Sequence, residues 1–430
     1  MNEADEKAAP PKAPRSDAGW ARATEALSNV QFRRVFISNM AFFLAMGGQG
    51  IVRPWIAFQL TDSTFKLGIV AAAMAIPMFF LSPFGGVFAD RIERRKLIVS
   101  AQALAMVSEV IVFVLLITGN IEFWHLVAAG AALGCSFPLI MPARSAIVAN
   151  LVGRQGLGAA MGLNMTGVNV TRVVGPAGAG YLISVIDVAG AYAVNMGLYL
   201  VALIVMMTVQ KLPPPKVPMG ESVLRSMADG FRYLGTDRFV AILLLFGLVP
   251  QFLAMPFQNI LPAFSDHVWN AGATGYGILH ASVGIGAVVG SVYVAWRSQG
   301  KPRLDMMLGS IIGFGLMLSL FALSPWFWPA VFLSFIANIG ASVFSTLNNV
   351  SIQLVIPDHV RGRVSSFMMM SVSLPLLGAL PIGWVADQIG APSTVAIAAL
   401  MAVELAIAFY LLSPRLRGLD ARVHSELDDA

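Results

Sequence analysis

The chain has 430 residues, of which 57% are hydrophobic and only 12% are charged, and its mean hydropathy is +0.75. This small number of charged groups cannot cover the surface of a water-soluble protein. The composition therefore excludes soluble enzymes and soluble binding modules and indicates an integral membrane protein. The net charge of +5 is divided among several loops and tails. Because no concentrated basic patch results, we expect no nucleic acid partner.

Residues 1–33 form a polar segment rich in Ala and Pro, with no apolar core followed by a cleavage site. We interpret this segment as a disordered cytosolic tail and not as a signal peptide. Apolar runs of about 20 residues then recur, a length that crosses a hydrocarbon core as a helix. Because lipid offers the backbone no hydrogen-bond partner, we predict an all-α membrane protein. The twelve predicted spans are 35–59, 67–89, 97–118, 124–146, 160–185, 189–210, 238–262, 275–297, 304–323, 328–353, 364–387 and 392–413.

The longest connection between predicted spans opens with KLPPPKVPMG and continues with amphipathic periodicity. We interpret it as a cytoplasmic linker with an amphipathic helix on the inner membrane face. A weak repeat supports a duplication: AMGGQGIV at 45–52 resembles AMPFQNIL at 254–261. The predicted organisation is a tail at 1–33, an N-terminal six-helix half at 34–210, the linker at 211–237, a C-terminal six-helix half at 238–414 and a cytosolic tail at 415–430.

Lysine and arginine residues indicate the orientation. Nearly all 28 of them fall in the tails or in loops after even-numbered predicted spans, and only Lys66 lies on the opposite side. The positive-inside rule then places both termini in the cytoplasm. We expect a monomeric, multi-pass protein of a bacterial cytoplasmic (inner) membrane, whose basic loops also contact membrane lipids.

The sequence has a single cysteine, Cys135, and shows no metal-ligand spacing, Walker-type glycine loop or nucleophile triad. We therefore expect no enzyme activity, no metal and no cofactor. An ATP-driven pump is also disfavoured for this chain alone, which leaves an ion gradient as the expected energy source.

The loop between the second and third predicted spans reads GGVFADRIERRK. Its spacing of glycine, acid and bases resembles the signature loop of the major facilitator superfamily, although Glu93 stands where that signature has a second glycine. The resemblance implies a fold that alternates between two open states, with this loop locking the outward-open state. An ordinary basic cytoplasmic loop is the alternative. The matching residues are Gly86, Asp90, Arg91, Arg94 and Arg95.

The fifth predicted span contains TRVVGPAGAG at 171–180. This segment resembles the glycine-proline signature of proton-coupled exporters in the superfamily, with Thr171 and Ala179 replacing two glycines. Together with PARSAIVANLV at 142–152 and PDHVRGRVSS at 357–366, it is similar to the enterobactin-exporter and macrolide-efflux branch. A close helix contact without bearing on transport direction is the alternative. The matching residues are Gly175, Pro176, Gly178 and Gly180.

Three arginines fall within predicted spans or at their ends, where an uncompensated charge is costly. Arg172 lies midway along the fifth span, and either binds an anionic substrate group or a carboxylate, or bonds to neighbouring carbonyls. Arg53 lies one turn after Gln49 and either faces the cavity or extends to the interface. Arg144 lies near the cytoplasmic end of the fourth span, where extension to the interface or pairing at a gate is expected.

Glu109 and Glu404 are the carboxylates nearest to the middle of predicted spans. Either could carry a coupling proton if it is buried. The family resemblance, however, implies that helices 3 and 12 form an outer scaffold, whereas helices 1, 4, 7 and 10 line the cavity.

The tenth predicted span carries one polar stripe at steps of three and four residues, which lipid cannot face. In the family frame this stripe points at a central cavity, and hydrogen bonding between helices is the alternative. The stripe consists of Asn338, Ser342, Ser345, Asn349 and Gln353, and the facing residues are Gln49, Arg53, Gln258 and Asn259.

These observations together predict a secondary transporter that exports a small amphiphilic compound, siderophore-like or drug-like, in exchange for protons. The alternatives are a lysophospholipid or lipid flippase and an importer of a polar nutrient. A membrane scaffold or sensor is the weakest alternative, because it would leave the polar stripe and Arg172 without a use.

Overall fold

The computed structural model describes residues 27–211, 232, 235–297, 303–356 and 370–428. The predicted N-terminal tail and most of the predicted linker lie outside these residues. Within them the chain is helical and contains no β-strand, as the sequence predicted. The main helices are α1 Val30–Thr61, α2 Thr64–Arg91, α3 Arg94–Ile117, α4 Phe123–Met207, α5 Arg238–Leu253, α6 Gly272–Arg297, α7 Arg303–Leu323, α8 Phe327–Val355, α9 Leu374–Ile389, α10 Ala391–Leu412, α11 Pro414–Arg417 and α12 Leu419–Asp428.

Local chemistry explains several helix boundaries. The Asn29 side chain accepts hydrogen bonds from the first backbone amides of α1, and Ser63 does the same for α2. Between these two helices Asp62 takes a left-handed conformation with a φ of 49°, which ends α1. Between α5 and α6 the chain is irregular, with a 3₁₀ turn at Met255–Ile260 and a π-helical turn at Phe264–Val268.

Ten helical segments of the described chain are long and apolar enough to cross a membrane. One of them, Gly156–Met207, has 52 residues; a straight helix of that length would measure roughly 78 Å, more than twice a ~30 Å hydrocarbon core. Asp187 interrupts it with a φ of 65°, and its Oδ1 accepts a hydrogen bond from the Gly190 amide at 2.8 Å. The predicted boundary between the fifth and sixth spans falls at this residue.

The eleventh predicted span is represented by α9, which is apolar but has only 16 described residues. Residues 364–369 of that span lie outside the described residues. The count of twelve spans and the cytoplasmic location of the termini therefore stay predictions.

We call the described residues before the predicted linker the N-terminal half and those after it the C-terminal half. They meet along two seams that depend on glycine. At the seam of α2 with α9, a Cβ on Gly68 would lie 2.6 Å from the Ala379 carbonyl oxygen. At the seam of α4 with α6, a Cβ on Gly180 would lie 2.7 Å from the Gly277 Cα. Both distances are below van der Waals contact, so larger residues at these positions would push the halves apart.

Hydrogen bonds join the halves at the end where α1 passes into α2. We call this arrangement the Asp387 clasp: the Asp387 carboxylate of α9 accepts hydrogen bonds from the Ser63 hydroxyl at 2.6 Å, from the Thr64 amide at 2.7 Å and from the Phe65 amide at 3.2 Å. The carboxylate thus caps the N-terminus of α2 from the opposite half. Nearby, His267 Nε2 lies 3.0 Å from Asp62 Oδ1. By the predicted orientation, this is the outer end of the molecule.

Candidate substrate cavity and buried charge network

A cavity of about 570 Å³ lies between the two halves. Helix α4 contributes Asn169 and Arg172, α6 contributes His280, and the irregular segment before α6 contributes Gln258. Both halves therefore supply polar side chains to one space, as a substrate site between two moving halves requires.

Helix α8 brings part of the predicted polar stripe to this cavity. Asn338, Ser342 and Ser345 line it, and Asn349 lines an adjoining cavity of about 110 Å³. Gln353 is exposed and lines neither cavity.

The stripe also bonds to neighbouring backbone. The Ser342 hydroxyl donates to the Ala287 carbonyl of α6 at 2.6 Å, and the Asn338 amide donates to the Ser334 carbonyl of its own helix at 2.9 Å. Both uses considered for the stripe, lining a cavity and bonding between helices, are therefore present.

Arg172 is exposed to the cavity and makes no hydrogen bond or ion pair with the part of the chain that the structure describes.

The exporter-like segment at 171–180 packs against two other helices. Its Pro176 lies with the ring near Gly47 of α1. Of the glycines in the exporter-like segment, Gly175 contacts α1 and Gly180 contacts α6, whereas a Cβ on Gly178 would meet nothing within 4 Å.

A more apolar cavity of about 280 Å³ lies against α1, α2 and α4. Its polar residues are Gln49, Arg53 and Asn259, and its walls include several methionines and Phe137. Asn259 donates a long hydrogen bond of 3.5 Å to the Pro256 carbonyl, while Gln258, in the larger cavity, donates to the Met255 sulfur at 3.4 Å. These two amides are held loosely and could turn toward a ligand.

Glu109 is the centre of a buried network in the N-terminal half. Its side chain has 0% exposure, and one carboxylate oxygen pairs with the Arg53 guanidinium. The other oxygen accepts hydrogen bonds from Gln49 Nε2 at 2.8 Å and from the Tyr192 hydroxyl. The charge of Glu109 is thereby compensated inside a membrane protein. Two of the partners, Gln49 and Arg53, line the apolar cavity. Glu109 itself does not line the cavity but contacts these two lining residues.

Arg144 is a second buried guanidinium, 4% exposed, and therefore does not extend to the membrane interface. It donates to the Asn39 side-chain oxygen, and its guanidinium carbon lies 4.3 Å from the Phe42 ring centroid. Its Nε and Nη2 atoms have no hydrogen-bond partner. The aromatic face supplies part of the missing compensation through a cation–π contact.

Sequence reasoning missed the tyrosines and Gln102 of this region. Tyr192 bonds to Glu109, and Tyr199 and Gln102 are buried with side-chain polar atoms that have no partner. A signal was available, because Gln102 precedes Glu109 by seven residues and Tyr192 precedes Tyr199 by seven. That spacing places each pair on one helix face.

The signature loop of residues 85–96 lies at the turn from α2 to α3. Arg94 donates to the Ala146 carbonyl at 3.2 Å, and Arg95 donates to the Met207 carbonyl, so both tie this turn to α4 of the same half. Arg91 is exposed in the last turn of α2. Gly86 and Asp90 belong to the helical backbone of α2, and their side-chain environment lies outside what the structure describes.

Glu404 is exposed on α10 and takes no part in the Glu109 network. Of the two carboxylates considered for proton coupling, only Glu109 is therefore buried next to a cavity.

Apolar membrane-crossing helices in two halves around a central polar cavity define a membrane transporter. The family model described as transmembrane secretion effector matches residues 21–428, and the chain belongs to this family of the major facilitator superfamily. It is therefore a multi-pass transporter of a small-molecule substrate and not an enzyme, and transporters of this kind need no cofactor. The resemblance predicted from the two motifs is confirmed.

Individual proteins agree with this assignment. The enterobactin exporter EntS of Escherichia coli O1:K1 / APEC is 29% identical over 356 residues, which cover 82% of this chain and 84% of that protein.

Two solved structures show the fold. The crystal structure of the nucleoside transporter NupG aligns with a TM-score of 0.74 at 15% identity, covering 89% of this chain and 98% of that one. A bacterial homologue of the human lysosomal transporter Spinster, inward-facing and unoccupied, aligns with a TM-score of 0.68 at 15% identity, covering 95% and 98%.

Proposed function

We propose that this transporter exports a small amphiphilic compound, siderophore-like or drug-like, across a bacterial cytoplasmic membrane, and that protons entering the cell drive the export. The similarity to EntS over 82% of the chain supports the export direction. The neighbouring polar and apolar cavities, of about 570 and 280 Å³, suit a compound with both kinds of surface.

The observation that carries proton coupling is the placement of Glu109. Among the described residues it is the one carboxylate with a buried side chain, and it is paired with an arginine that lines a cavity. Protonation of Glu109 would remove the charge that holds Arg53, leaving that guanidinium to seek another partner. A proton and a substrate could in this way compete for the same arrangement of Arg53, which is the linkage that antiport requires.

Alternating access would move the two halves of six spans each, joined by the 211–237 linker. The Asp387 clasp and the glycine seams close the end at the start of α2. The central cavity lies farther along the helices, lined from His280 to Ser291 on α6 and from Asn338 to Thr346 on α8. In the proposed orientation this arrangement is open to the cytoplasm, and the signature loop with Asp90, Arg91, Arg94 and Arg95 would close that side in the outward-open state.

The experiment uses inside-out vesicles with an imposed proton gradient and a fluorescent reporter of lumenal pH. A panel of siderophores, macrolides and dyes is added to vesicles that contain the wild-type chain, the Glu109→Gln variant or the Glu404→Gln variant. We expect substrate-dependent proton efflux in the wild type, at least a tenfold loss for Glu109→Gln, and wild-type behaviour for Glu404→Gln, whose carboxylate is exposed.

Unchanged proton movement in a folded Glu109→Gln protein would contradict the role of Glu109. If no compound produced proton movement in vesicles containing folded wild-type protein, proton-coupled export of these compound classes would be rejected.

A further inference from the structure

We infer that the cargo is an anionic amphiphile, and that Arg172 binds its negatively charged group. The inference rests on the proposed export function and adds the charge of the compound. It follows from the charges that line the cavities.

The three cavities described above adjoin one another, because Met255 and Ser345 belong to the walls of two of them and Val372 to the walls of another two. Among the described residues, the charged side chains lining them are Arg53 and Arg172, and no carboxylate lines any of the three. A cationic compound would therefore find no counter-charge in this space, whereas an anion would find one.

Glu109 does not change this balance. Both of its carboxylate oxygens are occupied, by Arg53 on one side and by Gln49 and Tyr192 on the other, and its exposure is 0%. The pair of Arg53 with Glu109 is close to neutral. Arg172 is left without a carboxylate partner among the described residues, so α4 presents one positive charge to the central cavity.

The neutral polar groups around Arg172 suit an oxyanion. His280 Nε2 is buried without a hydrogen-bond partner and lines the same cavity, together with the Gln258 and Asn338 amides. A buried ring nitrogen without a partner is unfavourable until a ligand or water supplies one. The two amides can each donate to a carboxylate, phenolate or hydroxamate oxygen, and the imidazole can do so when Nε2 carries the ring proton.

The apolar cavity next to Arg53 would hold the other part of the compound. Met46, Met74 and Met78 are among its walls, and methionine side chains adapt to differently shaped apolar groups. The cavities thus select strongly by charge and weakly by shape, which defines a class of compounds and not a single one.

The test uses two dyes with the same xanthene core and opposite charge, carboxyfluorescein as the anion and rhodamine 6G as the cation. Their binding to the purified full-length protein is measured by fluorescence anisotropy, and their uptake is measured in inside-out vesicles with a proton gradient. We expect at least tenfold tighter binding and faster uptake of the anion. The Arg172→Gln variant should lose this preference, Arg172→Lys should retain most of it, and Arg417→Gln, on the exposed C-terminal segment, should leave it unchanged.

Equal or tighter binding of the cation would overturn the inference, while uptake of either dye would still support export. An anion preference in binding without any uptake would support the inference and count against export. A preference that persists in a folded Arg172→Gln protein would remove Arg172 from the assignment.

Discussion

The paired residues Arg53 and Glu109 form a buried contact that we expect to matter for stability as well as for the proposed transport. Each side chain is almost completely buried, and each would be costly to bury alone. The two charges compensate each other, so the pair is satisfied only when both members are present; Gln49 and Tyr192 also donate hydrogen bonds to the carboxylate. Any event that neutralises Glu109 or attracts Arg53 therefore changes the stability of the whole arrangement.

This pairing leads to a stability prediction for single and double variants. Replacing Arg53 by Met leaves a buried carboxylate without its cation and should lower the free energy of unfolding by about 3 to 5 kcal/mol. The double variant Arg53→Met/Glu109→Leu removes both charges and should recover most of that loss. Thermal unfolding in detergent, followed by tryptophan fluorescence, measures both effects. Equal destabilisation of the single and double variants would show that the pair is not coupled.

At the scale of elements, the helices are held at their crossings by glycines that admit neighbouring backbone. The exporter-like segment of α4 shows that its glycines are not equivalent. Gly180 lies against Gly277 of α6, at the seam between the halves, whereas Gly178 faces open space. Of these two motif positions, the packing therefore requires glycine at Gly180 but not at Gly178.

The two glycines provide a matched pair of variants. Gly180→Ala places a methyl group 2.7 Å from the Gly277 Cα of α6 and should destabilise the protein by about 1 to 3 kcal/mol. Gly178→Ala should change stability by less than about 1 kcal/mol, since the methyl group meets no neighbour. The midpoints of thermal unfolding of the two variants, measured in the same detergent, test this difference in stability. A larger loss for Gly178→Ala would contradict the packing of α4 on α6.

At the scale of the whole molecule, we expect the Asp387 clasp to influence the balance between conformations. It joins Ser63, Thr64 and Phe65 at the start of α2 to the last turn of α9, and Thr64 and Asp387 are 323 residues apart in sequence. The contact must break for that end of the molecule to open. Its strength therefore contributes directly to the equilibrium between the two open states.

We expect Asp387→Asn to weaken the clasp by about 1 to 2 kcal/mol, because it removes the charge at the N-terminus of α2. This change corresponds to a roughly five- to thirtyfold shift in the ratio of molecules with the clasp broken to molecules with the clasp formed. Spin labels are attached at Leu60 and Ile389, two exposed positions near this end, in a Cys135→Ser background that removes the natural cysteine. Opening of this end is measured as a longer distance between the two labels. Asp305→Asn, on the exposed start of α7, is the control. An unchanged distance distribution for Asp387→Asn would show that the clasp does not set the equilibrium.

The sequence by itself determined that this is an all-α membrane transporter of the major facilitator superfamily, because hydropathy, helical periodicity and the two motifs are local properties of the chain. Periodicity also identified the polar stripe of α8, of which Asn338, Ser342 and Ser345 reach the central cavity. It could not tell that Gln353 and Glu404 would be exposed, since a 3.6-residue period shows which residues share a face but not what that face meets.

Only the tertiary structure decided which partners the charged residues take. Glu109 lies 56 residues from Arg53 and 83 from Tyr192, and Arg144 takes Asn39 and Phe42 as neighbours instead of reaching the interface. Such contacts depend on the rotation and crossing of whole helices, which are set by packing over many residues at once. For the same physical reason, the composition indicated an integral membrane protein, while the balance of charges facing the cavity emerged only when the helices were assembled.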